Sequence, residues 1–310
     1  MKFPTPAIVP PTLDTWQFSL SGFTWGNATP AAVLKVTGLG DNPKIRSSTP
    51  TRARDHGQLV GLDLYAGRTF TIDVWAKPNA VSLQTNLLRL AAVLEVGLQT
   101  EQPLWFKQPN LPLLCVMCRP RHKTVPWDVN YGAAMVAKPV AQFHATDPRL
   151  YSPGKSVEIG LPTPGVGVKF PVTFPVTFGA PKPGTLGIVN NGNTTMRPVV
   201  IFTGPVTNPA IDNASVSGVP TLTFSNPTQG TGYTVTAGDQ LVVDLDAQSV
   251  QYYVGGIASG SPPAPRMSWV VTGSTWWSLV AGQNVVQFRS SDATATAATC
   301  TVNYADAYIL

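Results

Sequence analysis

Charge, histidine and cysteine are all scarce in this chain. Only 12% of its 310 residues are Asp, Glu, Lys or Arg, where soluble domains carry about 25%. A surface so poor in charge is either rich in Thr, Asn and Ser or covered by neighbours in an assembly. Three cysteines, Cys115, Cys118 and Cys300, are too few for a disulfide scaffold and read as buried free thiols of a reducing compartment. No stretch approaches the roughly 18 consecutive apolar residues of a membrane span, so no membrane insertion is expected. The N-terminus carries Pro4, Pro6, Pro10 and Pro11 and lacks the apolar core of a secretory signal. Synthesis in a cytoplasm follows.

The same scarcity argues against catalysis. Asp55-His56 sets an acid beside an imidazole, but a triad also needs a positioned nucleophile. No Gly-x-Ser-x-Gly elbow is present. Glutamate occurs only at Glu95, Glu101 and Glu158, which offers no facing acid pair for glycoside hydrolysis in the second half. Gly165-Val166-Gly167 lacks the third glycine and the helix of a phosphate loop. Cys115-Val116-Met117-Cys118, with His122 beyond, looks like a redox or zinc pair. On a strand, however, those thiols point to opposite faces and cannot share a metal or a disulfide. No enzyme, metal or cofactor is therefore expected. In a cytoplasmic chain the Asn27, Asn193 and Asn213 glycosylation patterns carry no meaning.

What the chain has in quantity is proline (30) and glycine (27), hence many turns and few long helices. Its length fits about two domains, with a boundary near residue 160, so 1–160 and 161–310. Residues 1–160 hold 16 Lys/Arg against 10 Asp/Glu, or +6, and residues 161–310 hold 5 against 6, or −1. A basic first half could meet nucleic acid or an acidic protein surface. No RNA-binding aromatic motif, zinc finger or helix-turn-helix pattern supports specific nucleic-acid binding.

Residues 1–15 read as a Pro-rich arm. Phe18, Leu20, Phe23 and the 32–37 segment read as strands. Residues 41–58 show no periodicity and contain Arg52-Ala53-Arg54-Asp55-His56-Gly57; a loop this long is often functional. Residues 68–77 form the clearest strand of this half. Phe70, Ile72 and Val74 share one face, and Trp75 lies on the polar one. After Pro78-Asn79, Leu83, Leu87, Leu90, Ala91, Leu94 and Leu98 make the apolar stripe of one helix, with Ser82 as N-cap and Gly97 near its end. Strands resume at 104–106, 113–119 and 134–144. A linker starts at Pro162 and merges into 170–178. Beyond it, short alternating strands separated by turn signals indicate a β-sandwich or barrel. Asp244 and Asp246 share the polar face of one strand there and read as solvated edge positions. The fold class is all-β: two β-sandwich domains, the first with one helix.

The turn signals stand in a particular order. Thr203-Gly204-Pro205 precedes Asn208-Pro209-Ala210-Ile211. Ala237-Gly238-Asp239 follows, then Trp276-Trp277-Ser278-Leu279 running into residues 282–288, and the chain closes on residues 302–308. This run resembles the C-terminal domain of siphophage distal tail proteins. In the first half, Asp55-His56-Gly57, strand 68–77, the helix, Pro103-Leu104-Trp105-Phe106 and residues 147–152 resemble that family's N-terminal domain. The tails of actinobacterial phages are the most similar.

The resemblance implies a structural virion protein without catalytic residues. Residues 1–160 would be a tail-tube-like, ring-forming domain, and residues 161–310 a galectin-like β-sandwich. Such proteins form a hexameric ring at the distal end of a long non-contractile tail. The implied partners are other copies of the chain, tail tube, tape measure and tip hub proteins and other minor tail proteins. Phage DNA would pass through the lumen without specific binding. Ring closure needs heterologous contacts. Arg52, Arg54, Asp55, His56 and Trp75 are the candidate inter-subunit residues, with the N-terminal arm beside them. The alternative is a tail-tip adhesin that stacks host-wall glycans on Trp269, Trp276 and Trp277, near Tyr252 and Tyr253.

Overall fold

The computed structural model describes residues 8–76, 83–95, 100–129, 136–162, 184–225, 233–292 and 297–310. Residues 1–7 of the expected arm, Lys77, Pro78-Asn79, Ser82, Gly97, Leu98, residues 134–135 and the linker over 163–178 lie outside the described residues. The fold is nearly all β, with one α-helix among the described residues, in agreement with the expected class. It forms two compact units, Lys2–Pro153 with Tyr308–Leu310, and Gly154–Ala307.

In the first unit, β1 (Gln17–Leu20) turns through Ser21-Gly22 into β2 (Phe23–Gly26). Both turn residues have positive φ, as a tight hairpin turn requires. Then come β3 (Ala31–Thr37), β4 (Ile45–Ser47), β5 (Asp63–Tyr65) and β6 (Arg68–Ala76). Helix α1 (Leu83–Val93) precedes β7 (Gln102–Lys107), β8 (Leu114–Thr124), β9 (Val140–Ala145) and β10 (Leu150–Tyr151). The strand order is β2-β1-β7-β8-β9-β6-β3. Strand β8 runs on past Arg119 through an irregularity between Pro120 and His122. Phe70, Ile72 and Val74 point into the core and Trp75 is half-buried on the other face. Phe70 stacks on Phe143 at 5.2 Å, and Leu90 and Leu94 of the helix stripe join the same core.

The second unit is a sandwich. One sheet runs β11 (Lys155–Gly160), β22, β13, β18, β19, β20; the other runs β12, β21, β15, β16. Their ranges are β12 (Thr185–Asn190), β13 (Val199–Thr203), β15 (Ala210–Asn213), β16 (Thr221–Thr223), β18 (Gln240–Asp244), β19 (Ser249–Tyr253), β20 (Ala264–Pro265), β21 (Gly282–Arg289) and β22 (Thr299–Tyr304). A small pair, β14 (Val206–Thr207) with β17 (Thr234–Val235), stands apart. Period-2 burial fixes the facing: Asn284, Val286 and Phe288 point inward from β21, and Cys300, Val302 and Tyr304 from β22. Phe202 of β13 meets Phe288 at 5.6 Å and Phe224 at 5.7 Å, closing the two sheets over one core.

The turn signals of the sequence meet in space. Gly204 pairs with Ala237, and its amide donates to the Asp239 carbonyl at 3.2 Å. A Cβ on Gly204 would sit 2.1 Å from the Thr236 oxygen, so only glycine permits this approach. Asp244 opens a turn, accepting the amides of Asp246 and Ala247 at 2.9 and 3.0 Å. Its strand is internal to the sheet rather than at an edge.

Candidate functional site

The most exposed structure in the first unit is a hairpin arm between Lys44 and Ala66. Among the described residues, strands β4 and β5 pair only with each other, with Ile45 opposite Tyr65, Arg46 opposite Leu64 and Ser47 opposite Asp63. Past them the ribbon continues through Ser48 and Leu62, Pro50 and Leu59, and a Thr51–Gln58 bridge. The Ser48 hydroxyl reinforces the Leu62 contacts. Gly61 lets the strands close, since a Cβ there would stand 2.2 Å from the Ser48 oxygen. At the foot, buried Arg68 donates to the Leu39 carbonyl, and burial lowers its pKa.

Residues 41–58 were expected to be an aperiodic loop, whereas they form much of this ribbon. The reason is solvent: among the described residues nothing covers either face of the arm, so no apolar alternation marks it. The tip gathers four of the predicted contact residues. Arg52 pairs with Asp55 at 3.2 Å, and Asp55 also accepts the His56 amide at 2.8 Å. Arg54 is exposed beside them. The fifth, Trp75, lies on β6 and not on the arm.

Charge is not the arm's main surface. Val60 is 99% exposed, Leu62 68% and Ile45 62%, and Leu59, Leu64 and Tyr65 are exposed with them. The sequence reasoning missed these residues, although the alternation of Leu62 and Leu64 was a readable signal. A two-stranded ribbon in water is marginal by itself, and exposed apolar side chains grouped on one element mark an interaction surface.

In the second unit Trp277 is 3% exposed and part of the core, while Trp276 is half-buried. Trp269 lies 3.7 Å from the Tyr233 ring, with the Arg266 guanidinium 4.7 Å from its own centroid. The structure therefore does not present these three tryptophans as one platform. Nearby, Asp239 accepts from the Thr236 hydroxyl, the Tyr252 hydroxyl and the Gly255 amide. These donors hold its carboxyl below the usual carboxylate range. Burial raises the Tyr233 phenol.

The other candidate groups are dispersed. Cys115, Cys118 and Cys300 are buried free thiols, all pushed up by burial. Cys118 belongs to the core that also holds Leu114 and Val116, so strand parity turns Cys115 to the opposite face. His144 bonds Thr69 at 3.1 Å and His122 bonds Thr124 at 2.9 Å. Among the described residues no group of three or more His, Cys, Asp or Glu could hold a metal ion. No helix among them is long and apolar enough to cross a membrane.

No protein-family model matches the chain, and neither does any curated protein. Solved structures do. The chain is similar to the SPP1 Dit (gp 19.1) protein, described as a paradigm of the hub adsorption apparatus in phages infecting Gram-positive hosts. The TM-score is 0.60 at 14% identity, over 94% of this chain and 98% of that one. A chain of the phage P2 baseplate in its activated conformation, solved with Ca or Sr, aligns at TM-score 0.49 and 8% identity over 93% and 97%. At these identities the likeness to SPP1 Dit shows a shared fold, spread across both units.

Proposed function

We propose that this chain is a structural protein of a phage tail tip. In this reading it forms a ring at the distal end of a long non-contractile tail, joins the tube to the tip hub and leaves a channel for DNA. The observation that carries the reading is the end-to-end likeness to a tail hub protein, with nearly all of both chains aligned. The arm supports it independently. A ring needs two different patches per subunit, and an apolar ribbon that the described residues leave uncovered would supply one of them. The ring is a homo-oligomer, six copies by the family pattern, located in the virion. Arg52, Arg54, Asp55 and His56 lie at the arm tip within reach of a neighbour, and Trp75 gives a further contact from β6.

Native mass spectrometry and negative-stain imaging of the purified chain test the ring. Closed rings of identical subunits are the expected result. A strict monomer at high concentration, with no ring in intact tails, would defeat the proposal.

One observation favours a second role for the second unit. Tyr252 and Trp269 are half-exposed beside the charged groups Arg266 and Asp239, a combination that suits a glycan. Binding on a glycan array that Trp269→Ala abolishes would support the adhesin reading, and an empty array would remove it.

A further inference from the structure

Strands β1 and β7 carry a groove on the face turned away from the core. It has a volume of about 490 Å³, with Val9, Pro10 and Pro11 on one side and Pro103 and Trp105 on the other. Ser19 and Trp105 point into it, because their neighbours Phe18, Leu20, Leu104 and Phe106 point into the core. Ser19 is 3% exposed and Trp105 4%, yet neither the Ser19 hydroxyl nor the Trp105 indole N–H has a hydrogen-bond partner among the described residues. Gln102, also on the lining, gives its carbonyl oxygen to the Ser21 hydroxyl, which leaves its amide N–H bonds as donors. The groove thus combines apolar walls with donors that lack acceptors. The described chain begins at Ile8, on its rim. Before Ile8 stand Met1-Lys2-Phe3-Pro4-Thr5-Pro6-Ala7.

We propose that residues 1–7 of the same chain fold back over this groove and set the Phe3 ring and Pro4 against Val9, Pro103 and Trp105. The chemistry of the two sides matches. Pro4 and Pro6 have no backbone N–H, so the segment offers carbonyls in excess, the complement of the groove's donors. Aromatic-lined grooves are the usual seat of proline-rich segments. Thr5-Pro6-Ala7-Ile8 has the residues of a turn, with proline at the second position. A reversal there brings Pro4 opposite Val9 and Phe3 opposite Pro10. Val9, 85% exposed, is covered by it. The tether at Ile8 holds the segment at an effective concentration of about millimolar or more, which a second copy in solution does not reach. The groove is therefore a receptor for a proline-rich segment that the chain fills itself. This concerns one subunit and stands whether or not the ring reading does.

Cysteine cross-linking tests the fold-back, because the three native thiols are buried. Lys2→Cys and Ser21→Cys are combined, and equal amounts of light and nitrogen-15-labelled chains are mixed and treated with a short bis-maleimide. Mass spectrometry should find the two peptides linked within one chain. Adding Phe3→Ala should lower the yield roughly tenfold, the effect of losing a buried aromatic ring. Val9→Asp should do the same at an unchanged melting curve, since Val9 is exposed in the described structure. Without engineered thiols, a lysine-specific protease should cut after Lys2 about tenfold faster in Val9→Asp than in the wild type.

A link joining light to heavy chains would overturn the proposal, since the segment would then occupy another copy. So would a yield that Phe3→Ala leaves unchanged, or one no higher than that of Lys2→Cys with Thr124→Cys, an exposed position at the far end of β8. Equal cleavage after Lys2 in the wild type and Val9→Asp would overturn it as well. If the groove instead takes a proline-rich segment of another tip protein, neither the link nor the protection appears in the purified chain.

Discussion

At the scale of single residues, buried asparagines tie together the turns and strands of the second unit. Asn284 has no exposure, and its side-chain amide makes four hydrogen bonds to three residues. It accepts from the Val280 amide at 2.9 Å and from Asn213 at 3.0 Å, and donates to the carbonyls of Val280 and Gly282. Asn190 does similar work, bonding Thr194, Gly192 and Ala307. Replacing Asn284 with Ala strands several of these groups in the core, where each unsatisfied one costs about 1–3 kcal/mol. The expected loss is about 3 kcal/mol, read as a lower urea midpoint at unchanged slope. Ser215→Ala, which removes one acceptor from an exposed bond to the Val285 amide, should cost less than about 1 kcal/mol. Asp239 gives a pH prediction. Its folded pKa is depressed by the donors around it, so its contribution is present above the ordinary carboxylate pKa of about 3.9 and is lost as pH falls through the lower folded value. Asp239→Asn should therefore lower stability at neutral pH and flatten the acid limb of the stability curve. Unfolding measured from neutral pH down into the acid range checks it, and an unchanged limb would show that the Thr236 and Tyr252 contacts do not discriminate charge.

Among elements, legibility follows burial. Strands β6, β21 and β22 each bury one face, and their alternation was plain in Phe70-Thr71-Ile72, Val286-Gln287-Phe288 and Cys300-Thr301-Val302. The helix stripe was legible for the same reason, through Leu90 and Leu94. Strand β8 was read only to Arg119 because the charged residues that carry it on to Thr124 hide its period. The turns at Gly204 and Ala237 were legible as turns, but their contact depends on tertiary packing that no local pattern encodes. The arm was the largest miss: among the described residues nothing covers either of its faces, so it has no inward face to read. If the arm packs on nothing in its own unit, replacing residues 48–62 with an Asn-Gly turn should leave the melting temperature within about 2 °C while abolishing assembly. A large drop in melting temperature would mean that the arm supports its own core.

For the whole molecule, the proposed ring raises the question of which kind of force would hold its copies together. The chain is sparsely charged and its charge is uneven, with the basic excess in the first half. Two contributions from the arm can be separated by salt. The tip cations would act through exposed ion pairs, worth about 0–1 kcal/mol each and screened over about 3 Å at 1 M salt. Asp55 is already engaged by Arg52 within the chain, which leaves the tip less negative charge to offer a neighbour. The aliphatic side chains at 59–62 would act through burial in a contact, at about 25 cal/mol per Å², and salt does not weaken that term. Self-association measured by sedimentation should therefore change less than about threefold between 50 mM and 500 mM sodium chloride. It should strengthen in sulfate, which favours apolar burial. A tenfold or greater loss over the same chloride range, rescued by low salt and removed by Arg54→Ala, would instead assign the contact to the charged tip. The exposed aliphatic residues would then need another partner.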